Sequence, residues 1–158
     1  MVRLILGEST RTLDQRYRLS IPLELADSLA LESGAAILAK ERPGCLSLWN
    51  VGIWRTRLEA GVRLVESKIE AGRLEGRLEE VQRLGRLLST RHTDVQLAGR
   101  GRLVLPEGFR EFLGVEPGGE AMIVGAAVCV EIWHPERWSQ YVGDQMPAFR
   151  QLLDGLSS

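Results

Sequence analysis

The chain has 158 residues and a formal net charge of −1 at pH 7, so it carries no global attraction to nucleic acid, and any basic surface must come from the local distribution of charge. Its longest apolar run, Ala121 to Val130, contains Gly125 and is far too short to span a bilayer. The two cysteines lie in apolar, strand-like runs with no signal segment before them, which reads as small buried thiols in a reducing cytoplasm rather than a disulfide.

Met1 to Gly7 is an apolar start with one charge, suited to a strand or an anchor on a neighbouring surface. Thr10 to Leu13 lead into a turn at Asp14 to Tyr17, where the Asp14 carboxylate can accept hydrogen bonds from the backbone ahead of it. Arg18 to Ile21 then alternates, with Leu19 and Ile21 on one face and Arg18 and Ser20 on the other. Pro22 suits the first turn of a short helix over 23 to 30, because its missing N–H would be unpaired there anyway. The segments AILAK and CLSLW, separated by Pro43 and Gly44, read as a hairpin.

Val51 to Leu88 contains many helix formers and no proline. Its apolar positions Trp54, Leu58, Val62, Val65 and Ile69, then Leu74, Leu78, Val81, Leu84 and Leu88, recur mostly every three or four residues. AGRLEG at 71 to 76 is the favoured break, giving two helices that fold back on each other, with one long helix as the alternative.

After Arg91 to Asp94 the first pattern returns 84 residues on. Leu13 falls on Leu97, Arg16 on Arg100, Arg18 on Arg102, Leu19 on Leu103, Pro22 on Pro106, Cys45 on Cys129, Trp49 on Trp133 and Trp54 on Trp138. One shift aligns the scarcest residues in the chain, so the sequence is an internal duplication. The second copy has Gly99 and Gly101 where the first has Gln15 and Tyr17, and both glycines can take positive φ in the turn. Its helix is expected over 107 to 113 and its hairpin from AMIV and AVCVEIW, separated by Gly125 and Ala126. Pro135 opens a last helix, Met146 and Pro147 interrupt it, and a short apolar tail follows whose end is expected to fray.

Each half has only about 50 residues, too little interior to be comfortable alone, so the two should share one core. The expected units are residues 1–54, a helical connector at 55–91, a second repeat at 92–142 and a tail at 143–158.

Enzymatic chemistry finds little support. There is no Ser-His-Asp set, no CxxC and no paired carboxylates; Asp14 has Ala98 as its counterpart and is better placed as a turn organiser than as an acid. His92 and His134 stand alone, without metal-ligand spacing, and read as solvent-facing or locally hydrogen-bonded, so neither metal nor cofactor is expected. The four tryptophans each end a hairpin or begin a helix, which favours core or subunit packing over stacking on single-stranded nucleic acid. What remains is the duplicated pair of arginines. Guanidinium groups match phosphate and the edge of guanine bidentately, and Arg16, Arg18, Arg100 and Arg102, with Arg11 nearby, would form a basic patch if the copies lie side by side.

LDQRYRLSIP at 13–22, GRGRLVLP at 99–106, CLSLW at 45–49, RLGRLLS at 83–89 and EIWHPERW at 131–138 resemble tandem SpoVT-AbrB, or swapped-hairpin, repeats, and over essentially the full length the MraZ family of bacterial transcriptional regulators. In each repeat that family has Asp followed four residues later by Arg, then an apolar-x-apolar-Pro run. Here copy one keeps Asp14 and Arg18 but has Tyr17 where Gly is usual, and copy two keeps Gly101 and Arg102 but has Ala98 in place of the acid. The resemblance implies a mainly β protein with helices (α+β), its repeats interleaved in an intramolecular swapped-hairpin β-barrel. It further implies a ring-shaped homo-oligomer, cytoplasmic and nucleoid-associated, with no membrane or small-molecule partner. Its ligand would be double-stranded DNA with repeated boxes upstream of division and cell-wall genes, its own included. The implied DNA-binding residues are Arg16, Arg18, Arg100 and Arg102, with Asp14, Gly99 and Gly101 organising the turns. The alternative is a non-enzymatic assembly module of the same build, with DNA binding lost or weakened.

Overall fold

The computed structural model describes residues 3–158, so of the apolar start Met1 and Val2 lie outside the described residues. The first copy supplies β1 (Ile5–Thr12), β2 (Arg18–Ser20), α1 (Leu23–Ser28), β3 (Ala35–Arg42) and β4 (Cys45–Asn50). Two helices follow, α2 (Val51–Glu70) and α3 (Leu78–Arg91). The second copy supplies β5 (His92–Gln96), β6 (Arg102–Val104), α4 (Glu107–Leu113), β7 (Glu120–Ala127) and β8 (Val130–Trp133). The chain ends in α5 (Pro135–Gln145), a 3-10 turn at Met146–Ala148 and α6 (Phe149–Ser157). The tail expected to fray is therefore helical, with Ser157 Oγ donating to the Leu153 carbonyl near its end.

The strands do not form a closed barrel, and the molecule is not mainly β: more of the described residues are helical than extended. Six strands make one open sheet in the order β1-β7-β8-β4-β3-β5, while β2 and β6 pair with each other in a separate ribbon. Closure fails because β1 and β5, the two edges, each run into a turn that diverts the chain out of the sheet. Leu13 N–H still donates to the Gly119 carbonyl, but by Arg18 the backbone has reversed and pairs with Val104 instead. The ribbon lies over the gap between the two edges, and side chains fill the space beneath it. Leu13, Leu19, Ile21 and Leu25 of one copy interleave with Leu97, Leu103, Leu105, Phe109 and Leu113 of the other in a single core between sheet and ribbon. Burying side chains of that size stabilises by about 1.5–3 kcal/mol each, and neither half could bury them without the other.

The hairpin turn of the second copy also lies later than the sequence indicates. Gly125 and Ala126 remain in β7, and the reversal falls at Val128 and Cys129, with Ala126 N–H donating to the Cys129 carbonyl. Gly125 is there because β1 passes too close for a side chain: a Cβ would stand 2.6 Å from the Ile5 carbonyl oxygen.

On the sheet face away from this core, β4 and β8 run antiparallel with Cys45 opposite Trp133 and Ser47 opposite Glu131. Trp49 packs on Trp54 with ring centroids 5.5 Å apart, and Trp133 on Trp138 at 5.3 Å, so each copy ties its last strand to its following helix in the same way. Both cysteines are buried and free. The α2 and α3 helices part at Ala71–Arg77, where Gly72 and Gly76 take φ of 70° and 78°. Leu58, Val62 and Val65 then face Val81, Leu84 and Leu88 across an apolar groove of about 590 Å³.

Candidate nucleic-acid interface

The turn that ends β1 is organised by one carboxylate. Asp14 Oδ1 accepts the backbone N–H groups of Arg16 at 2.8 Å and Arg18 at 2.9 Å, and Oδ2 accepts Arg18 Nε at 2.7 Å. The Arg18 backbone N–H, followed by its guanidinium and the Arg16 N–H, holds the carboxyl below its ordinary value of 3.8 against an opposing effect of burial. Tyr17 is left at φ 59°, unusual for a residue with a side chain, and the Arg110 guanidinium stacks on its ring with the guanidinium carbon 4.0 Å from the centroid.

The second turn lacks the acid. Ala98 N–H donates to the Arg102 carbonyl at 2.8 Å, as Asp14 N–H does to the Arg18 carbonyl at 3.1 Å, but the Arg102 N–H returns to the Ala98 carbonyl at 3.0 Å where the Arg18 N–H of the first copy goes to Asp14 Oδ1. Gly99 at φ 52° and Gly101 at φ 98° supply the reversal. Gly101 is also tightly enclosed, for a Cβ there would lie 2.8 Å from the Ile21 carbonyl oxygen. The turns are cross-linked reciprocally: Ile21 N–H donates to the Gly101 carbonyl at 2.8 Å, and Leu105 N–H to the Tyr17 carbonyl at 2.9 Å.

The two strands leaving these turns form the ribbon, with Arg18 opposite Val104, Leu19 opposite Leu103 and Ser20 opposite Arg102. Leu19 and Leu103 are buried below it. By strand alternation Arg18, Ser20, Arg102 and Val104 stand on the outward face, and all but the partly buried Arg18 are exposed. Arg16 and Arg100 lie in the turns on either side, both exposed. Arg18 is tied to Asp14, whereas Arg16, Arg100 and Arg102 form no ion pair with an acid among the described residues. A strip of arginine therefore runs along a two-stranded ribbon held from beneath by the shared core.

Arg110 was not readable as part of this region. It belongs to α4 of the second copy, where it serves the turn of the first and also donates from Nε to the Leu105 carbonyl. Nothing in the spacing of the repeats announces a contact between copies. His134, by contrast, sits before Pro135 and caps α5, its Nδ1 accepting Glu136 N–H at 3.2 Å. His92 differs from the expectation of an exposed or hydrogen-bonded imidazole: its ring packs on Trp54 at 5.3 Å and its Nδ1 is buried with no hydrogen-bond partner among the described residues. Among the described residues no helix is long and apolar enough to cross a membrane.

The chain is thus a duplicated protein whose copies pair arginine-bearing strands on one outward ribbon, and comparison with known proteins gives its class. A family model described as "MraZ protein, putative antitoxin-like" matches residues 89–152. The transcriptional regulator MraZ of Roseiflexus castenholzii is 33% identical over 135 residues, covering 85% of this chain and 84% of that protein. Those of Thermomicrobium roseum and Syntrophomonas wolfei are 29% identical over 136 residues and 24% over 153, covering 86% and 97% of this chain and 85% and 96% of their own lengths. The chain belongs to the MraZ family of transcriptional regulators, which are not enzymes.

Proposed function

We propose that this chain regulates transcription by binding double-stranded DNA through the β2–β6 ribbon, with Arg16, Arg18, Arg100 and Arg102 making the contacts and Asp14, Gly99 and Gly101 holding the turns that aim them. The supporting observation is that arginines far apart in sequence share one ribbon face, and a two-stranded ribbon has the width of the major groove. In the same reading, residues 1–54 and 92–142 are the paired repeats, 55–91 the connector and 143–158 the tail. The chain assembles as a ring-shaped homo-oligomer in the cytoplasm, at the nucleoid. Its sites are repeated boxes upstream of division and cell-wall genes and of its own gene. Few arginines per chain give useful affinity only when several chains engage linked sites. Exposed apolar side chains on α6, among them Phe149, Leu152 and Leu156, favour such self-association.

The test is fluorescence anisotropy on duplexes carrying two or more direct repeats against shuffled duplexes, for the wild type and the four Arg→Ala variants, with oligomer size checked for each. A base-reading arginine should cost about 1–3 kcal/mol per contact and flatten sequence preference, whereas a phosphate-gripping one should weaken all sequences alike and lower the salt slope by about one unit. Undiminished affinity and salt dependence in the quadruple variant would refute the reading. If that variant keeps its assembly and the wild type binds no DNA, the protein is an assembly module.

A further inference from the structure

The approximate two-fold relation between the copies breaks on the outward face of the ribbon. Arg18 and Arg102 occupy equivalent positions, but the next outward positions are Ser20 in one copy and Val104 in the other. Val104 is 50% exposed and is the one apolar side chain on a face otherwise made of Arg18, Ser20 and Arg102. It lies across the ribbon from Arg18 and two residues along the strand from Arg102. With strands about 4.8 Å apart and a rise of about 3.3 Å per residue, its Cβ stands within about 7 Å of the backbone of both. Base pairs stack about every 3.4 Å along the duplex, so these groups can face the same two or three base pairs.

We propose that Val104 reads the 5-methyl group of a thymine in the major groove, a contact that Ser20, its counterpart in the first copy, does not make. This rests on the ribbon being the DNA surface. In the major groove the thymine methyl is the apolar feature of the base edges, and an apolar side chain is its natural contact. A serine hydroxyl both donates and accepts, so it can meet several base edges. One half of the ribbon therefore discriminates where the other tolerates. Arg18 is fixed by Asp14 while Arg102 has no such tether, which breaks the symmetry in the same sense.

The experiment begins with duplexes enriched from a random library by the full-length wild-type chain. Each thymine is then replaced singly by deoxyuridine, which removes only the methyl. Anisotropy titrations should find a thymine whose replacement weakens wild-type binding about fourfold, the value of one methylene-sized group removed from an apolar contact. Val104→Ala should lose that factor on the parent duplex and become indifferent to the replacement. Val104→Thr, which keeps a methyl, should still sense it, and Ser20→Ala should leave the thymine profile unchanged. If Val104→Ala binds the parent duplex as tightly as the wild type, or senses every methyl that the wild type senses, the assignment of Val104 is overturned. Loss of binding in the quadruple arginine variant alongside that result leaves the DNA-binding ribbon standing. Undiminished binding by the quadruple variant, or enrichment of no sequence at all, overturns both.

Discussion

The two copies solve the same structural problems with different chemistry, and the difference separates what the duplication needs from what each half improvises. At the turns both copies bond the first N–H to the arginine carbonyl, but the first copy spends a side chain, Asp14, to gather two backbone N–H groups and one guanidinium, while the second returns the Arg102 N–H to the Ala98 carbonyl and relies on glycine. On the far side of the sheet, Trp49 Nε1 donates to the Ser47 hydroxyl and Trp133 Nε1 to the Glu131 carboxylate, at equivalent positions. What both copies keep is the outcome: a strand reversed into the ribbon, and a tryptophan fixed against the next helix. The cross-bonds of each turn to the other copy explain why neither solution can drift alone.

The cysteines are the sharpest test of where the copies are still alike. Burial, chiefly, lifts the Cys129 thiol to about 12 from 9.0, and burial lifts Cys45 further. Since the thiolate is the reacting species, native labelling near pH 8 should be slowed at least on the order of a thousandfold at both positions relative to the unfolded chain. Mass-resolved labelling that finds one cysteine fast would break the equivalence of the two sheet positions.

Substitutions at the turns should separate the copies. Gly101→Ala places a Cβ against the Ile21 carbonyl and holds alanine at φ 98°, a combination with an expected cost of about 3 kcal/mol. That corresponds to a drop in Tm of about 6–12 °C for a chain of this size. Tyr17→Gly, at the matching position, removes a strained left-handed residue but also the ring on which Arg110 stacks, so the unfolding free energy from urea titration should change by less than about 1 kcal/mol. Equal losses at both sites would mean that the Tyr17 ring is worth far more to the first turn than relief of its left-handed backbone returns.

Asp14 gives the next smaller effect, and its sign is set by acid. Because the folded carboxyl titrates below 3.8, its stabilisation is fully present above that value and is lost as pH falls through the lowered one. Wild-type stability should therefore fall more steeply below about pH 4 than that of Asp14→Asn, in thermal melts at stepped pH, and the two curves should converge in stronger acid. Parallel curves would remove Asp14 from the list of organising groups.

Much of this architecture was legible because the duplication announced itself through scarce residues, and because the alternation of Arg18 to Ile21 already separated an inner from an outer face. Helix starts at Pro22, Pro106 and Pro135 were legible for the same local reason. Closure of the sheet was not. Whether β1 and β5 pair depends on where two turns send the chain, which is a property of the shared core and not of any one segment. Gly125 misled for a related reason: a glycine between apolar runs signals a turn locally, but here it admits β1, more than a hundred residues earlier in the chain. Arg110 was hidden because it acts across the copies.

The smallest expected effect lies at Glu131, where the second copy departs most from the first. Its carboxyl is raised above the ordinary 4.5, first by burial and then by the nearby Glu41, against the Trp133 N–H and Arg42, which favour the ionised form. A group raised in this way contributes most favourably below its unfolded value, and that contribution is lost as pH rises through the folded one, so at neutral pH the ionised carboxylate is a mild liability. Glu131→Gln keeps an oxygen for the Trp133 indole and removes the charge. Partial access to solvent screens the gain, so Tm at pH 7 should rise by only about 1–2 °C, and the difference from wild type should shrink below pH 4, where the wild-type carboxyl is itself protonated. Ser47→Ala serves as the counterpart in the first copy. It carries no charge to remove, but it leaves the buried Trp49 N–H without its acceptor and takes away the hydroxyl that donates to the Glu41 carboxylate, so it should lower Tm. A fall in Tm for Glu131→Gln at neutral pH would show instead that the ionised carboxylate, held by the Trp133 indole, is a net stabilising contact of the second copy.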